Sequence, residues 1–219
     1  MKLICGMPRS GTKYLLNMFN KYGKDMKPKI YCHNTNFNSS WSTNEAEAIS
    51  YAYHRGIEGY LLINLFQALP EIWKEDKTDD TEVMYKQPQL CFLRKELILF
   101  SEIIICKRPV ESWVKSASIY SHAQIYVDRK NRPMWLKKYD DRIYNSSDKF
   151  LELGKIWEEN CDESIEFLKI RKIKYHICEF GNIEHYKNLF SHFELSTQAI
   201  EDCLKNWAGS NTDSNYKPF

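Results

Sequence analysis

The sequence predicts a three-layer α/β fold, in which helices cover both faces of a mainly parallel sheet of four to five strands. Apolar strand segments alternate with amphipathic helical segments along the 219 residues, and this order is typical of parallel sheets. The strand segments are continuously apolar, as expected for strands that are buried on both faces. The length suits one domain, residues 1–219.

The first half of the chain begins with a strand, a tight loop and a helix. "KLIC" is the strand, and "TKYLLNMFNKY" is the helix, because its apolar residues recur at helical spacing. "PKIYCHN" is a second strand that ends near His33, and residues 44–75 are predicted to be helical. "TEVMYKQ" is a third strand, and "QLCFLRKELILF" is a helix that Pro88 helps to start.

The second half begins with the most apolar strand, "SEIIICKR", followed by a helix in "PVESWVKSASIY". In residues 123–147 the apolar residues follow neither the helical spacing nor the alternation of a strand. We therefore expect an irregular insert of the kind that forms a lid or a substrate loop. A long amphipathic helix is predicted from Asp148 to Arg171, and "KIKYHICEF" is a fifth strand. "EHYKNLFSHF" and "TQAIEDCLKNW" complete the chain as helices.

Charge is unevenly distributed along the chain, although the formal net charge is only +2. This total argues against binding to nucleic acid or membranes through bulk electrostatics. Residues 1–29 nevertheless contain seven basic residues and one acidic residue, whereas residues 45–82 contain nine acidic residues and three basic ones. We therefore expect a small anion to bind near the amino-terminal end of the chain.

The seven cysteines are scattered and form no CxxC pair. This pattern predicts reduced thiols and a cytoplasmic location. Apolar runs are far shorter than the roughly 20 residues that a membrane span needs, so we expect a soluble protein without a membrane span. The sequence does not indicate an oligomeric state.

"CGMPRSGTKYLL" is the most informative segment of the sequence. A glycine-rich loop between a strand and a helix presents backbone N–H groups and the positive end of the helix dipole to a phosphate or sulfate. Gly6 and Gly11 allow the tight turn, Arg9 adds a planar cation, and Ser10 and Thr12 add hydroxyl groups. The alternative is an ordinary turn with a surface arginine.

This loop differs from the loop of nucleotide-hydrolysing enzymes, in which lysine and then serine or threonine follow the second glycine. Here Thr12 precedes Lys13, and no hydroxyl occupies the position that would hold magnesium. The strand "IIICKRP" also ends in cations where a magnesium-binding aspartate would stand. Both features disfavour metal-dependent ATP chemistry.

A second basic position follows that strand, where Arg108 leads into a helix and Ser116 lies eight residues further on. With this pair and the first loop together, the chain resembles the sulfotransferases that use 3′-phosphoadenosine 5′-phosphosulfate. "GMPRSGTKYLL" is similar to their 5′-phosphosulfate loop and "CKRPVESWVKS" to their 3′-phosphate motif. "MYKQPQL" resembles the lysine-x-proline element of the tyrosylprotein and carbohydrate branches.

The resemblance implies a phosphate-loop-like sulfotransferase fold and a role for each matching residue. The 3′-phosphate would be held by Arg108 and Ser116, and the 5′-phosphosulfate by a group from the first loop: Arg9, Ser10, Gly11 and Thr12. Lys13 departs from the family pattern, which usually has a second threonine there, and it would substitute a charge for a hydroxyl. The acceptor would be a hydroxyl or amine on a small molecule, carbohydrate or peptide.

Sulfuryl transfer needs positive groups near the bridging oxygen and a base near the acceptor. Arg9 and Lys86 are the candidates for the positive groups, because Lys86 ends a strand at the ligand-binding edge of the sheet. His33 is the candidate base, since the family uses a histidine or glutamate just after its second strand. Glu45 and Glu47 are its rivals, although both also suit a helix start.

Two other functions stay open at this point. The chain could be a phosphate-loop kinase for a nucleoside or small molecule, which would bind ATP with magnesium. It could also be a non-catalytic relative that binds a nucleotide without turning it over. The acceptor cannot be identified, because specificity would lie in segments such as 34–44 and 123–147, which carry no transferable motif.

Overall fold

The computed structural model describes residues 1–32, 81–86, 88–92, 94–119, 124–129 and 134–210. Within these ranges five strands form one sheet: Lys2–Gly6 (β1), Lys29–Cys32 (β2), Thr81–Lys86 (β3), Glu102–Lys107 (β4) and Lys174–Glu179 (β5). The sheet is parallel throughout, with the order β2-β3-β1-β4-β5. The predicted α/β class and all five predicted strands are therefore confirmed.

Helices connect and cover the strands. The described ranges contain the α-helices Thr12–Tyr22 (α1), Val110–Ser118 (α2), Gln124–Val127 (α3), Asp140–Asn145 (α4), Lys149–Arg171 (α5), Ile183–His192 (α6) and Thr197–Ser210 (α7). They also contain the 3₁₀ turns Gly23–Asp25, Pro88–Phe92, Arg94–Leu99 and Met134–Tyr139.

Two apolar cores lie on opposite faces of the sheet. Leu3 and Cys5 of β1 belong to the core that contains Trp113 of α2 and Trp157 of α5. Ile4, between them, belongs to the other core, which is filled from α1, α6 and α7. Successive residues of a strand point to opposite faces, so complete burial of all three residues requires helices on both sides. This arrangement is the predicted three-layer architecture.

Helix α5 holds α2 against the sheet. Its N-cap is Asp148, whose side chain accepts a hydrogen bond of 2.9 Å from the N–H of Leu151. Gly154 lets the two helices approach closely, because a Cβ at this position would lie 2.9 Å from Val110 Cγ1 and 3.1 Å from Trp113 Cε3. The position of Trp113 thus depends on α5.

Two segments differ from the sequence prediction. The helix predicted after Pro88 is a pair of 3₁₀ turns, because its buried residues include the consecutive Leu90, Cys91 and Phe92, and these cannot share one helical face. The insert predicted to be irregular contains α3, a 3₁₀ turn and α4 within its described part. The helical prediction for residues 44–75 lies outside the described residues.

Within the described ranges, no helix has both the length and the apolar character that crossing a membrane would demand. The six cysteines whose side chains are described are buried and free.

The connectivity places a crevice at the carboxyl ends of β1 and β4. These two strands are neighbours, with Gly6 in register with Cys106. The helices that follow them lie on opposite faces of the sheet, since α1 packs in one core and α2 in the other. In open α/β sheets, ligands bind at such a switch point, and both predicted anion-binding motifs begin there.

Candidate functional site

The loop between β1 and α1 begins with a glycine that no other residue could replace without a shift of the backbone. Gly6 has a φ of 112°, and a Cβ on it would lie 2.2 Å from the carbonyl oxygen of Cys106. The N–H of Met7 donates a hydrogen bond of 2.9 Å to that same oxygen. The loop therefore leaves the sheet in close contact with the end of β4.

The carbonyl groups of the loop are turned towards β4 and α2. The indole Nε1 of Trp113 donates to the carbonyl oxygen of Pro8 at 2.7 Å, and Nη1 of Arg108 donates to that of Arg9 at 3.0 Å. In a trans peptide the C=O and the following N–H point in opposite directions. The N–H groups of Arg9 and Ser10 are consequently directed to the side of the loop that faces away from Trp113 and Arg108.

The start of α1 adds further donors to that side. Gly11 is the residue before the helix, with a φ of 91°, and the first N–H groups of a helix have no partner within it. Among the residues that the structure describes, those of Ser10, Gly11 and Thr12 donate to no backbone carbonyl. These groups and the helix dipole form a site suited to a phosphate or sulfate.

Ser10 contributes to this site through its backbone. Its side chain is fully buried, and the hydroxyl lies against the carbonyl oxygens of Met7 and Cys106, the latter at 3.2 Å. The hydroxyl therefore stabilises the loop itself. The Thr12 side chain is also buried.

The two predicted motifs are joined by a hydrogen bond between their side chains. Nε of Arg9 donates to Oγ of Ser116 at 3.1 Å, across 107 positions of the sequence. Arg9 has a φ of 65°, an uncommon conformation for a residue with a side chain. This conformation and the hydrogen bond aim the guanidinium of Arg9 from the first loop at the buried serine of α2.

Arg108 is held on three sides at the end of β4. Besides its bond to the first loop, its Nε donates to Oγ of Ser112 at 2.9 Å. Its guanidinium also lies over the ring of Phe180, 4.1 Å from the ring centroid, at a distance typical of a cation–π contact. Such fixation pre-orients a planar cation for an anionic ligand.

Lys86 brings a third cation to the same edge of the sheet. It ends β3 and is in register with Ile4 of β1. Burial and the nearby charge of Lys13 lower the pKa of Lys86 to about 8. Two ammonium groups that repel each other in this way gain free energy when an anion binds between them.

The structure thus brings Arg9, Lys13 and Ser116 together with Lys86 and Arg108, around the carboxyl ends of β1, β3 and β4. Arg108 and Ser116, predicted to act as a pair, contact each other indirectly, through Arg9. The three candidate bases, His33, Glu45 and Glu47, lie outside the described residues.

Sequence reasoning assigned no role to three residues that shape the site: Ser112, Trp113 and Phe180. Ser112 and Trp113 could have been found, because they lie four and five positions after Arg108 and one helical turn brings such positions near the strand end. Phe180 follows β5 directly. Its contact with Arg108 depends on the pairing of β5 with β4, which the sequence does not reveal.

A cavity of about 860 Å³ lies beside Arg108, between the ends of β4 and β5 and the helix α5. One end carries Lys107 and Arg108, and the wall formed by α5 carries Lys169 and four acidic residues, Glu158, Asp162, Glu163 and Glu166. The cations Lys107, Arg94 and Lys169 of this cavity pair with Asp162, Glu163 and Glu166. Because these cations already have acidic partners, the cavity suits phosphate groups less well than the loop side of Arg108 does.

Comparison of the chain with profiles of known protein families and with curated proteins found no match. The geometry of the loop, Arg108 and Lys86 is therefore the basis for a functional proposal.

Proposed function

We propose that the chain is a sulfotransferase. It transfers a sulfuryl group from 3′-phosphoadenosine 5′-phosphosulfate to a hydroxyl or amine acceptor, without a metal ion. The observation that carries the proposal is the junction of two anion-binding motifs, in which Arg9 bonds to Ser116 and Arg108 bonds to the backbone of Arg9. A ligand that fits this junction has an anionic group at each of two ends.

The proposed nucleotide binds with its 5′-phosphosulfate on the N–H groups of residues 9–12 and its 3′-phosphate on the side of Arg108 and Ser116. Backbone donors and a helix start suit a tetrahedral anion. A guanidinium suits phosphate because its planar set of donors can make two parallel hydrogen bonds. Arg9 lies between the two ends, so that it can contact either anion.

Transfer requires the acceptor oxygen or nitrogen, the sulfur and the bridging oxygen to lie in line. The acceptor atom forms the new bond to sulfur while the bond from sulfur to the bridging oxygen breaks. Negative charge then builds on the 5′-phosphate oxygen that departs. Arg9, Lys13 and Lys86 supply positive charge at this end of the site, and the acceptor proton passes to a base.

Lys86 can stabilise the departing oxygen as a charged hydrogen-bond donor. Its pKa is about 8, so the ammonium is mostly charged at pH 7. The departing oxygen becomes part of a phosphate whose second pKa is about 6, so it leaves without needing a proton from Lys86. His33 remains the proposed base for the acceptor.

The strand end at Arg108 favours this proposal over a magnesium-dependent kinase. β4 ends at Lys107 and is followed by Arg108, whereas a kinase of the phosphate-loop class would have an aspartate at this strand end for the metal. In the proposed reaction, Arg9, Lys13 and Lys86 supply the charge that magnesium supplies to those enzymes.

The test is ligand-induced stabilisation of the full chain by the product nucleotide, adenosine 3′,5′-bisphosphate. We expect millimolar nucleotide to raise the melting temperature to the same extent in EDTA and in magnesium, since the cations of the site are side chains. ATP with magnesium is the comparison ligand. No shift with the bisphosphate, or a shift with ATP that requires magnesium, would contradict the proposal.

Sulfuryl transfer itself is measured with a radiolabelled sulfuryl donor and a panel of phenols, alcohols, amines, sugars and tyrosine peptides. Lys86→Met is expected to reduce the rate at least about tenfold, because the leaving oxygen loses its charged partner. Nucleotide binding without transfer to any acceptor would favour the non-catalytic relative.

A further inference from the structure

A second cluster of polar side chains lies at the amino-terminal edge of the sheet, on the opposite side from the loop. Its centre is Glu102, the first residue of β4, whose side chain is 2% exposed. Nε2 of His176 from β5 lies 2.7 Å from Oε1 of Glu102, and Nε2 of His192 from the end of α6 lies 2.8 Å from the same oxygen. Two imidazole nitrogens thus converge on one carboxylate oxygen.

The ammonium of Lys174 contacts two of these ligand atoms. Nζ of Lys174 lies 2.8 Å from Nε2 of His192 and 3.1 Å from Oε1 of Glu102. A lysine ammonium only donates, so Nε2 of His192 accepts in this contact and presents a lone pair, as the carboxylate oxygen does. A metal ion in place of this ammonium would take a lone pair from each ligand atom.

We propose that Glu102, His176 and His192 form a binding site for a zinc ion. The three ligand atoms lie within 4.8 Å of one another. Zinc bonds of about 2.0–2.1 Å in tetrahedral geometry place ligand atoms about 3.3 Å apart, so each imidazole nitrogen would move about half an ångström away from Oε1 of Glu102. Two imidazoles and one carboxylate suit zinc and its transition-metal neighbours rather than magnesium or calcium.

The surroundings of the cluster provide both an orienting group and an open position. Lys2 pairs with the other oxygen of Glu102, Oε2, and also with Glu82 at 3.1 Å. Such an outer partner fixes the orientation of a ligating carboxylate. Lys174 is 53% exposed and can move into solvent. Its departure would leave the fourth coordination position of zinc to water.

The occupied site would connect three elements, because its ligands come from β4, β5 and α6. An ion that binds only the folded chain stabilises it by mass action. We therefore expect zinc to raise the melting temperature of the protein, whether or not a nucleotide is present.

Calorimetric titration of the chelator-treated full chain with zinc tests this site, and absorption of bound cobalt reports tetrahedral coordination. We expect one equivalent of zinc at this site, with affinity reduced at least about tenfold in His192→Ala and in His176→Ala. His185→Ala is the matched control, because His185 also lies in α6 but bonds to the backbone of Glu179. It should bind zinc as the unaltered chain does.

Lys174→Ala separates a metal site from a simple ion-pair cluster. Removal of the ammonium that competes with zinc for Glu102 and His192 should tighten zinc binding severalfold. An ion-pair cluster would instead lose a favourable partner and gain no metal affinity. The proposal is overturned if zinc and cobalt do not bind stoichiometrically, if binding survives in both histidine variants, or if Lys174→Ala weakens it.

Discussion

Gly6 shows how strongly the anion-binding loop depends on single residues. Its backbone lies against the carbonyl group of Cys106, and its φ of 112° belongs to the region that favours glycine. Arg9 also has a positive φ, although it carries a side chain, and this conformation costs free energy that other contacts must offset. The hydrogen bonds from Arg9 to Ser116 and from Arg108 to the carbonyl oxygen of Arg9 supply part of the compensating free energy.

Gly6→Ala is expected to destabilise the protein by at least about 2 kcal/mol, because it adds a steric overlap with backbone to an unfavourable φ. Gly181→Ala is the matched control. Gly181 has a φ of 99°, but a Cβ on it would have no neighbour within 4 Å, so this variant should lose only about 1 kcal/mol. Urea unfolding measures both values. Equal losses would show that the contact with Cys106 is unimportant.

At the scale of elements, the pair α2 and α5 positions one side of the site. Trp113 and Ser116 both lie on α2 and both bond to the loop after β1. Helix α5 covers α2 at Gly154, where the two helices approach too closely for a side chain of ordinary size. A substitution on α5 that displaces Trp113 should therefore shift the loop after β1, although α5 contributes no residue to the anion site.

Gly154→Val is expected to destabilise the protein by about 1–3 kcal/mol, because the side chain must displace Val110 and Trp113. It should also weaken binding of adenosine 3′,5′-bisphosphate. Lys155→Val is the control, since Lys155 is exposed on the same helix and reports only the lower helix propensity of valine. Calorimetry measures the affinity of each variant. If the two variants bind equally, α5 does not position the loop.

The elements themselves were predictable from the sequence to different degrees. The strands and α1, α2, α5, α6 and α7 follow from apolar runs and helical spacing, because burial imposes those patterns directly. The 3₁₀ turns after Pro88 and the short helices in residues 123–147 were not predictable. Their shape is set by where the chain must pass over the sheet and helix α5, and this is a tertiary constraint.

Some features of the candidate site were likewise predictable from the sequence, and others were not. The loop residues and Arg108 were predictable, because their spacing relative to strand ends is local. The bond between Arg9 and Ser116 was not, because it depends on the pairing of β1 with β4 and on the face that α2 covers. The contact of Arg108 with Phe180 was not predictable either, because it depends on the pairing of β5 with β4, whereas Ser112 lies only four residues after Arg108 and could have been found.

At the scale of the whole molecule, the two edges of the sheet carry different chemistry. The carboxyl edge gathers Arg9, Lys13, Lys86 and Arg108, whereas the amino edge has Glu102 with two histidines. The net charge of +2 conceals this separation. The proposed nucleotide would bind at the carboxyl edge, beside the cavity to which α5 contributes four acidic residues and Lys169.

This distribution predicts that nucleotide affinity depends on pH. The pKa of Lys86 is about 8 in the unliganded protein, lowered by burial and by Lys13. Lys86 is charged below that value, so affinity for an anion should be highest near pH 7 and fall as pH rises through 8 to 9.5, by up to about tenfold. Lys86→Met should flatten the calorimetric profile. A profile that is unchanged in this variant would exclude Lys86 as the titrating group.

The most direct test of the proposed nucleotide site compares two ligands that differ only in the 3′-phosphate. Adenosine 3′,5′-bisphosphate and adenosine 5′-phosphate are titrated in EDTA into the unaltered chain, into Arg108→Ala and into Lys107→Ala. Lys107 serves as the control because it pairs with Asp162 on the other side of Arg108.

The proposal predicts that the unaltered chain and Lys107→Ala bind the bisphosphate at least about tenfold more tightly than the 5′-phosphate. Arg108→Ala should lose most of this preference and keep its affinity for the 5′-phosphate. Equal weakening of both ligands in Arg108→Ala, or no preference in the unaltered chain, would contradict the account.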